Sequence, residues 1–288
     1  MERKIFLLGV GCQKGGTSWL RSQLVKHPAI NMGFAKEYHI FDALYIDACR
    51  PFQSRRLEAL NTQSVQDRNA GNLTKLIDFF SNTDRYFEYF DDLYGRATQI
   101  QIVGDITPSY AGLPAAAFER IRAQAQAKGF TVKVIFLMRD PFERVWSAIR
   151  MSRRNLQKKY PTRVFHENES QDILRSYKSE GMEFRTRYER TITNLEMVFD
   201  PKNLFYGFYE MLFTQESMIR LADFLEISEL NVDFASHINV SPKAETGIEP
   251  DTVKKVVDYY ESTYQFCLNR FAHVGVGELW TGYKYCDK

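Results

Sequence analysis

The stretch GVGCQKGGTSWL, residues 9–20, stands between the apolar run KIFLLGV and a segment of helical spacing, and its reading decides the fold. Gly11 and Gly16 keep the glycine spacing of the phosphate loop G-x-x-x-x-G-K-[ST], which joins a strand to a helix. In that loop a lysine follows the second glycine; here Thr17 follows, and the nearby ammonium belongs to Lys14, inside the loop. The backbone amides of a glycine-rich turn, the positive end of the next helix and the hydroxyls of Thr17 and Ser18 make a site for a dianionic group. A lysine placed within the loop suits a ligand whose reacting bond is held differently from the γ-phosphate of ATP.

Working outward, TSWLRSQLVKHP spaces Trp19, Leu20, Leu24 and Val25 as a helix that stops at Pro28. QIQIVGD (99–105) alternates as a strand, and AAAFERIRAQAQAK (115–128) collects helix formers before Gly129. TVKVIFLM (131–138) is β-branched and apolar and runs directly into RDPFERVWSAIRM, where Asp140 is expected to cap a helix, Pro141 to open it and Glu143 to complete a capping box. NLFYGFYEML reads as a further strand, QESMIRLADFLEI as a helix, and 251–272 as one long amphipathic helix. Strands alternating with helices predict a three-layer α/β fold with a parallel central sheet flanked by helices. In such a sheet ligands sit beyond the carboxyl ends of the strands, where the loop and Arg139 would both lie.

At 288 residues, with 44% hydrophobic and 26% charged, the chain reads as one globular domain over 1–288 with a helical insertion at 43–98. Its 38 basic and 36 acidic residues nearly cancel, so nothing pulls the whole surface toward nucleic acid or membrane, and an electropositive site has to be local. Ile5–Val10 is too short for a signal-peptide core or a membrane span, which makes a cytoplasmic protein the expectation. Cys12, Cys49, Cys267 and Cys286 lack zinc-site spacing and read as free thiols. The basic run 150–163 reads as a solvated helix end, and the aromatic cluster Phe79–Tyr94 as core.

QKGGTSWL (13–20) together with VIFLMRDPFERVWSAIRM (134–151) resembles the two nucleotide-binding signatures of the sulfotransferases that use 3′-phosphoadenosine 5′-phosphosulfate (PAPS). The resemblance implies that Lys14, Gly15, Gly16, Thr17, Ser18 and Trp19 hold the 5′ end of the donor, and that Arg139 and Ser147 hold its 3′-phosphate. Arginine suits the second task because its guanidinium forms two-pronged pairs with phosphate oxygens. AKEYHIFD (35–42) is similar to the K-E-x-H-F-F segment of the heparan-type branch, which makes Glu37 the implied general base, with His39 as competing candidate.

VGDITPSY (103–110) is similar to the same branch's G-E-K-T-P-x-Y, but with Asp105 for its glutamate and Ile106 for its lysine. That departure leaves Lys14 to stabilise the leaving phosphate oxygen. RYERTITNLEMVFDPKNLFYGFYEML resembles a later family stretch that brings a tyrosine, Tyr188, toward the nucleotide, and Lys243 would correspond to a basic loop closing over the donor. The resemblance therefore implies sulfuryl transfer from PAPS, without a metal, to a small-molecule or carbohydrate hydroxyl or amine. The rival readings are a phosphate-loop kinase, which lacks both the following lysine and a magnesium-binding aspartate, and a non-catalytic nucleotide- or glycan-binding protein on the same fold. Acceptor identity and oligomeric state have no signature in the sequence.

Overall fold

The computed structural model describes residues 4–62, 68–165, 168–236 and 247–286. Among them, five strands form one parallel sheet: β1 (Ile5–Gly11), β2 (Ile30–Asn31), β3 (Ile102–Ile106), β4 (Thr131–Met138) and β5 (Leu204–Phe208), in the order β2-β3-β1-β4-β5. β1 lies at the centre, pairing Ile5 with Ile102 and with Thr131, and every one of its residues is buried. A strand buried on both faces needs two cores, and alternation supplies them. Phe6, Leu8 and Val10 point into one, Ile5 and Leu7 into the other.

The larger core is roofed by the helices Thr83–Tyr94 and Pro141–Lys159, the smaller by Thr17–Leu24 and Gln215–Leu225. Sheet and two helical layers make the three-layer architecture that the alternating pattern predicts. The aromatic cluster is core, as read: Phe87 and Phe90 pack on Phe6 with ring centroids 5.3 and 5.1 Å away. Each such buried side chain contributes about 1.5–3 kcal/mol relative to exposure.

Four local expectations change. Val25 lies beyond the end of its helix and is exposed. The strand read over 203–212 ends at Phe208, and Tyr209–Leu212 turns into a short helix. The long helix expected over 251–272 is two, Pro250–Tyr259 and Glu261–Arg270, broken at Tyr260, whose hydroxyl bonds the Tyr177 carbonyl at 2.5 Å. Asp140 does cap the helix Pro141–Lys159 by accepting from the Phe142 amide at 2.9 Å, but the capping box is not made. Arg139 takes Glu143, and the Asp140 amide donates instead to Glu210, 3.0 Å away in the short helix after β5. No helix among the described residues is long and apolar enough to cross a membrane.

Candidate functional site

Parallel strands deliver their following loops to one edge of the sheet, and here the adjacency of β1 and β4 puts the two quoted motifs side by side. β1 ends at Gly11 opposite Phe136 of β4; Cys12–Gly16 then turn back into the helix Thr17–Leu24, while Met138 leads into Arg139. The turn is closed by the Gly15 amide donating to the Cys12 carbonyl at 3.0 Å. Gly16 sits at φ 91°, where a Cβ would lie 2.4 Å from Leu212, so only glycine fits without rearrangement. Lys14 also has positive φ, at 74°, unusual for a residue with a side chain and often found where function requires it.

Arg139 joins the two motifs physically. Its Nη1 donates to the Lys14 carbonyl at 3.3 Å, its Nη2 to Glu143 at 2.9 Å, and its guanidinium lies 4.2 Å over the Tyr209 ring. Its Nε is buried without a hydrogen-bond partner among the described residues. Lys14 is half-buried, and burial together with the charges of Arg154, Arg139, Arg150 and Lys36 brings its pKa down to about 8. Ser147 is buried on the same helix, one turn past Glu143. Thr17 is buried and Ser18 half-buried at the start of the loop helix, whose first amides have no intrahelical partner.

Arg150 departs from the solvated helix end expected over 150–163. It is only 6% exposed, its guanidinium lies 4.4 Å over the Trp146 ring, and its Nε and Nη1 have no hydrogen-bond partner among the described residues. Lys158 and Lys159, at the end of the same run, are exposed as expected.

Two further residues implied as nucleotide contacts are buried, and the Trp19 indole Nε1 is without a hydrogen-bond partner among the described residues. Tyr188 is fully buried, and its hydroxyl donates to the Arg139 carbonyl at 2.7 Å and lies 3.4 Å from the Cys12 thiol. It braces both motifs from beneath. Trp19 is buried in the smaller core, edge-on to Phe213 at 4.8 Å and stacked with Phe234 at 6.1 Å. Lys243 lies outside the described residues.

On the other side of β1, the segment 33–42 is fastened to the loop after β3. Thr107 Oγ accepts from the Tyr38 amide at 3.0 Å and donates to Asp105 at 2.7 Å. Asp105, fully buried, also receives the hydroxyls of Tyr86 and Tyr110 at 3.0 and 2.9 Å. Burial pushes its pKa up to about 6 while those three hydrogen bonds hold it down. Ile106 is buried in the smaller core against Gly9, so no cation occupies its position. Arg21, on the loop helix, donates to the Ala35 carbonyl at 2.9 Å and ties this segment to the first motif.

The fastening presents Glu37 and His39 together. His39, at φ 52°, contacts Glu37 through Nε2 at 3.1 Å and Asp42 through Nδ1 at 2.6 Å, and its ring stacks on Phe52 at 4.0 Å. Ser109 donates a short hydrogen bond to Asp42 and lies 3.3 Å from His39 Nδ1. Burial alone would lower the pKa of His39; the hydrogen bonds and charges of Asp42 and Glu37 outweigh it and raise the pKa to about 9. Once protonated, the ring donates from both nitrogens, to Glu37, 30% exposed, and to buried Asp42. Asp42 and Ser109 were not singled out in the sequence; the available signal was the three-residue spacing from His39 to an aspartate at a helix start.

The family model of the sulfotransferase domain matches residues 2–243 of the chain. Among solved structures, a sulfotransferase from Alicyclobacillus acidocaldarius superposes with a TM-score of 0.52 at 17% identity, covering 90% of this chain and 92% of that one. A sulfotransferase domain from the curacin biosynthetic pathway gives 0.50 at 17% identity, covering 94% and 98%. At such identities the likeness is one of fold. No curated protein sequence matches the chain.

Proposed function

The chain belongs to the sulfotransferase domain family, and from that premise we propose that it moves a sulfuryl group from PAPS to a hydroxyl or amine of a small-molecule or carbohydrate acceptor. The observation that supports the donor assignment is the meeting of Arg139 with the Lys14 loop, 3.3 Å apart, among cations with buried nitrogens unsatisfied by the described residues. Lys14, Gly15, Gly16, Thr17 and Ser18 would hold the 5′-phosphosulfate on the loop amides and helix start, and Arg139 and Ser147 the 3′-phosphate. Tyr188 would act through Arg139, whose backbone it fixes, and Trp19 through the packing of the loop helix.

In the reaction the acceptor oxygen or nitrogen forms a bond to sulfur as the bond from sulfur to the bridging phosphate oxygen breaks. The acceptor proton passes to Glu37, and 3′,5′-diphosphoadenosine leaves with its new charge facing Lys14. Such transfers ask the protein chiefly for position and charge. His39 and Asp42 would hold the Glu37 carboxylate in place.

The test is thermal stabilisation of the protein by 3′,5′-diphosphoadenosine compared with ATP and magnesium. The bisphosphorylated nucleotide is expected to stabilise more at equal concentration. A preference for ATP with magnesium would overturn the donor assignment in favour of a kinase.

A further inference from the structure

We infer that Arg150 is a second guanidinium of the 3′-phosphate pocket and that, with Arg139, it sets a preference for nucleotides phosphorylated at the 3′ position. The inference rests on the donor reading above and adds a residue that neither the motif nor the resemblance assigns.

The helix Pro141–Lys159 carries Glu143, Ser147 and Arg150 at steps of four and three, which place them on one face. Arg139 reaches that face from the strand end through Glu143, and Arg150 lies close enough to both Arg139 and Lys14 for their charges to act on one another. Burying a guanidinium without hydrogen-bond acceptors is costly, and at this face, beside Arg139 and the Lys14 loop, an anion would supply the missing acceptors. The carboxylates that act on Arg150 are Glu143 and Glu169, and each already accepts a hydrogen bond, from Arg139 at 2.9 Å and from the Trp146 indole at 2.5 Å.

Nε and Nη1 of Arg150 are thus donors awaiting an acceptor, as is Nε of Arg139. The Trp146 ring beneath Arg150 is pinned by Glu169, so the guanidinium is held before a ligand arrives, and little ordering remains to oppose binding. Two forked cations and the Ser147 hydroxyl match the three outer oxygens and double charge of a phosphate monoester.

The experiment is calorimetric titration of the wild-type protein and of Arg150→Gln and Arg150→Lys with two probes, 3′,5′-diphosphoadenosine and 5′-AMP, which differ only in the 3′-phosphate. Both variants keep a stem over Trp146, and their melting temperatures report whether the fold survives. The wild type should prefer the bisphosphate. Arg150→Gln should weaken the bisphosphate by about 10- to 100-fold, the scale of a charge-assisted hydrogen-bond pair, and leave 5′-AMP unchanged. Arg150→Lys should recover part of the loss. Equal weakening of both probes, or no weakening of either in a wild type that does prefer the bisphosphate, would overturn the role of Arg150 while sparing the donor reading. A wild type indifferent to the 3′-phosphate would overturn both.

Discussion

Two charged regions flank β1 at the same edge of the sheet, and they are balanced in opposite ways. Around Lys14 cations predominate and are incompletely paired: beside the Arg139–Glu143 ion pair, Arg139 and Arg150 carry buried nitrogens without acceptors among the described residues, and mutual repulsion adds to burial in lowering the pKa of Lys14. Around Glu37 the charges alternate: carboxylate, imidazolium, carboxylate, with Ser109 closing the chain. A network complete within the protein serves to hold a group in one position and one protonation state. A network completed only from outside serves to bind. On the proposed reading the contrast divides the labour between donor and acceptor sides, and it exposes each side to a different kind of failure.

The sharpest way to break the division is Glu37→Gln. The amide keeps the size and one acceptor for His39 but cannot take a proton, so turnover, followed as release of 3′,5′-diphosphoadenosine across a panel of phenol, alcohol and sugar acceptors, should fall ~10²–10⁴-fold. Nucleotide affinity should not move. Comparable turnover in the variant would remove Glu37 as the base and leave its pairing with His39 purely structural.

Lys14→Ala is the counterpart on the donor side. Loss of a cation aimed at the leaving oxygen should cost ~10²–10³-fold in turnover, and unlike the Glu37 change it should weaken the nucleotide as well. The sign of the pH dependence follows from the depressed pKa. An anion binds the protonated amine, so affinity for 3′,5′-diphosphoadenosine should be greatest near pH 7, where both phosphates are dianionic, and fall, by at most about tenfold per unit, as pH rises through about 8. Lys14→Arg, charged throughout that range, should abolish the fall; a decline that persists in Lys14→Arg would assign it to another group.

What the sequence revealed of these two regions follows from how local the determining contacts are. The strand Thr131–Met138 and the helix behind Asp140-Pro141 were legible because β-branched residues, a cap and a first-turn proline act within a few residues of one another. The capping box was misread because its competitor, Glu210, comes from the short helix after β5, 70 positions away. Arg150 was hidden within a run of basic residues: composition treats the run as one solvated surface, whereas the helix turns Arg150 inward and Lys158 outward. Asp42 gave no functional signal because an aspartate in a first helical turn is ordinary; its burial against His39 and Ser109 depends on β3 lying beside the segment. Glu37 was legible only through its resemblance to a known segment, since a carboxylate beside a lysine in a loop carries no chemistry by itself.

The smallest of the expected effects probes the acceptor-side clamp itself. The pKa of His39 in the folded chain, about 9, lies above its ordinary 6.5, so the folded state binds the proton more tightly than the unfolded state. Its contribution to stability is therefore fully present below about pH 6.5 and is lost as pH rises through about 9. His39→Gln should lower the melting temperature by a few degrees at pH 6, on a scale of roughly 2–4 °C per kcal/mol for chains of this order of size. The gap from wild type should then close as pH approaches 10. The His39 charge also lowers the pKa of Asp105, about 6 in the folded chain, so part of the gap near pH 6 belongs to that coupling and the closing of the gap is read from pH 7 to 10. A gap of constant size from pH 7 to 10 would mean that the ring is neutral between Glu37 and Asp42, and His39 would return as a rival to Glu37 for the acceptor's proton.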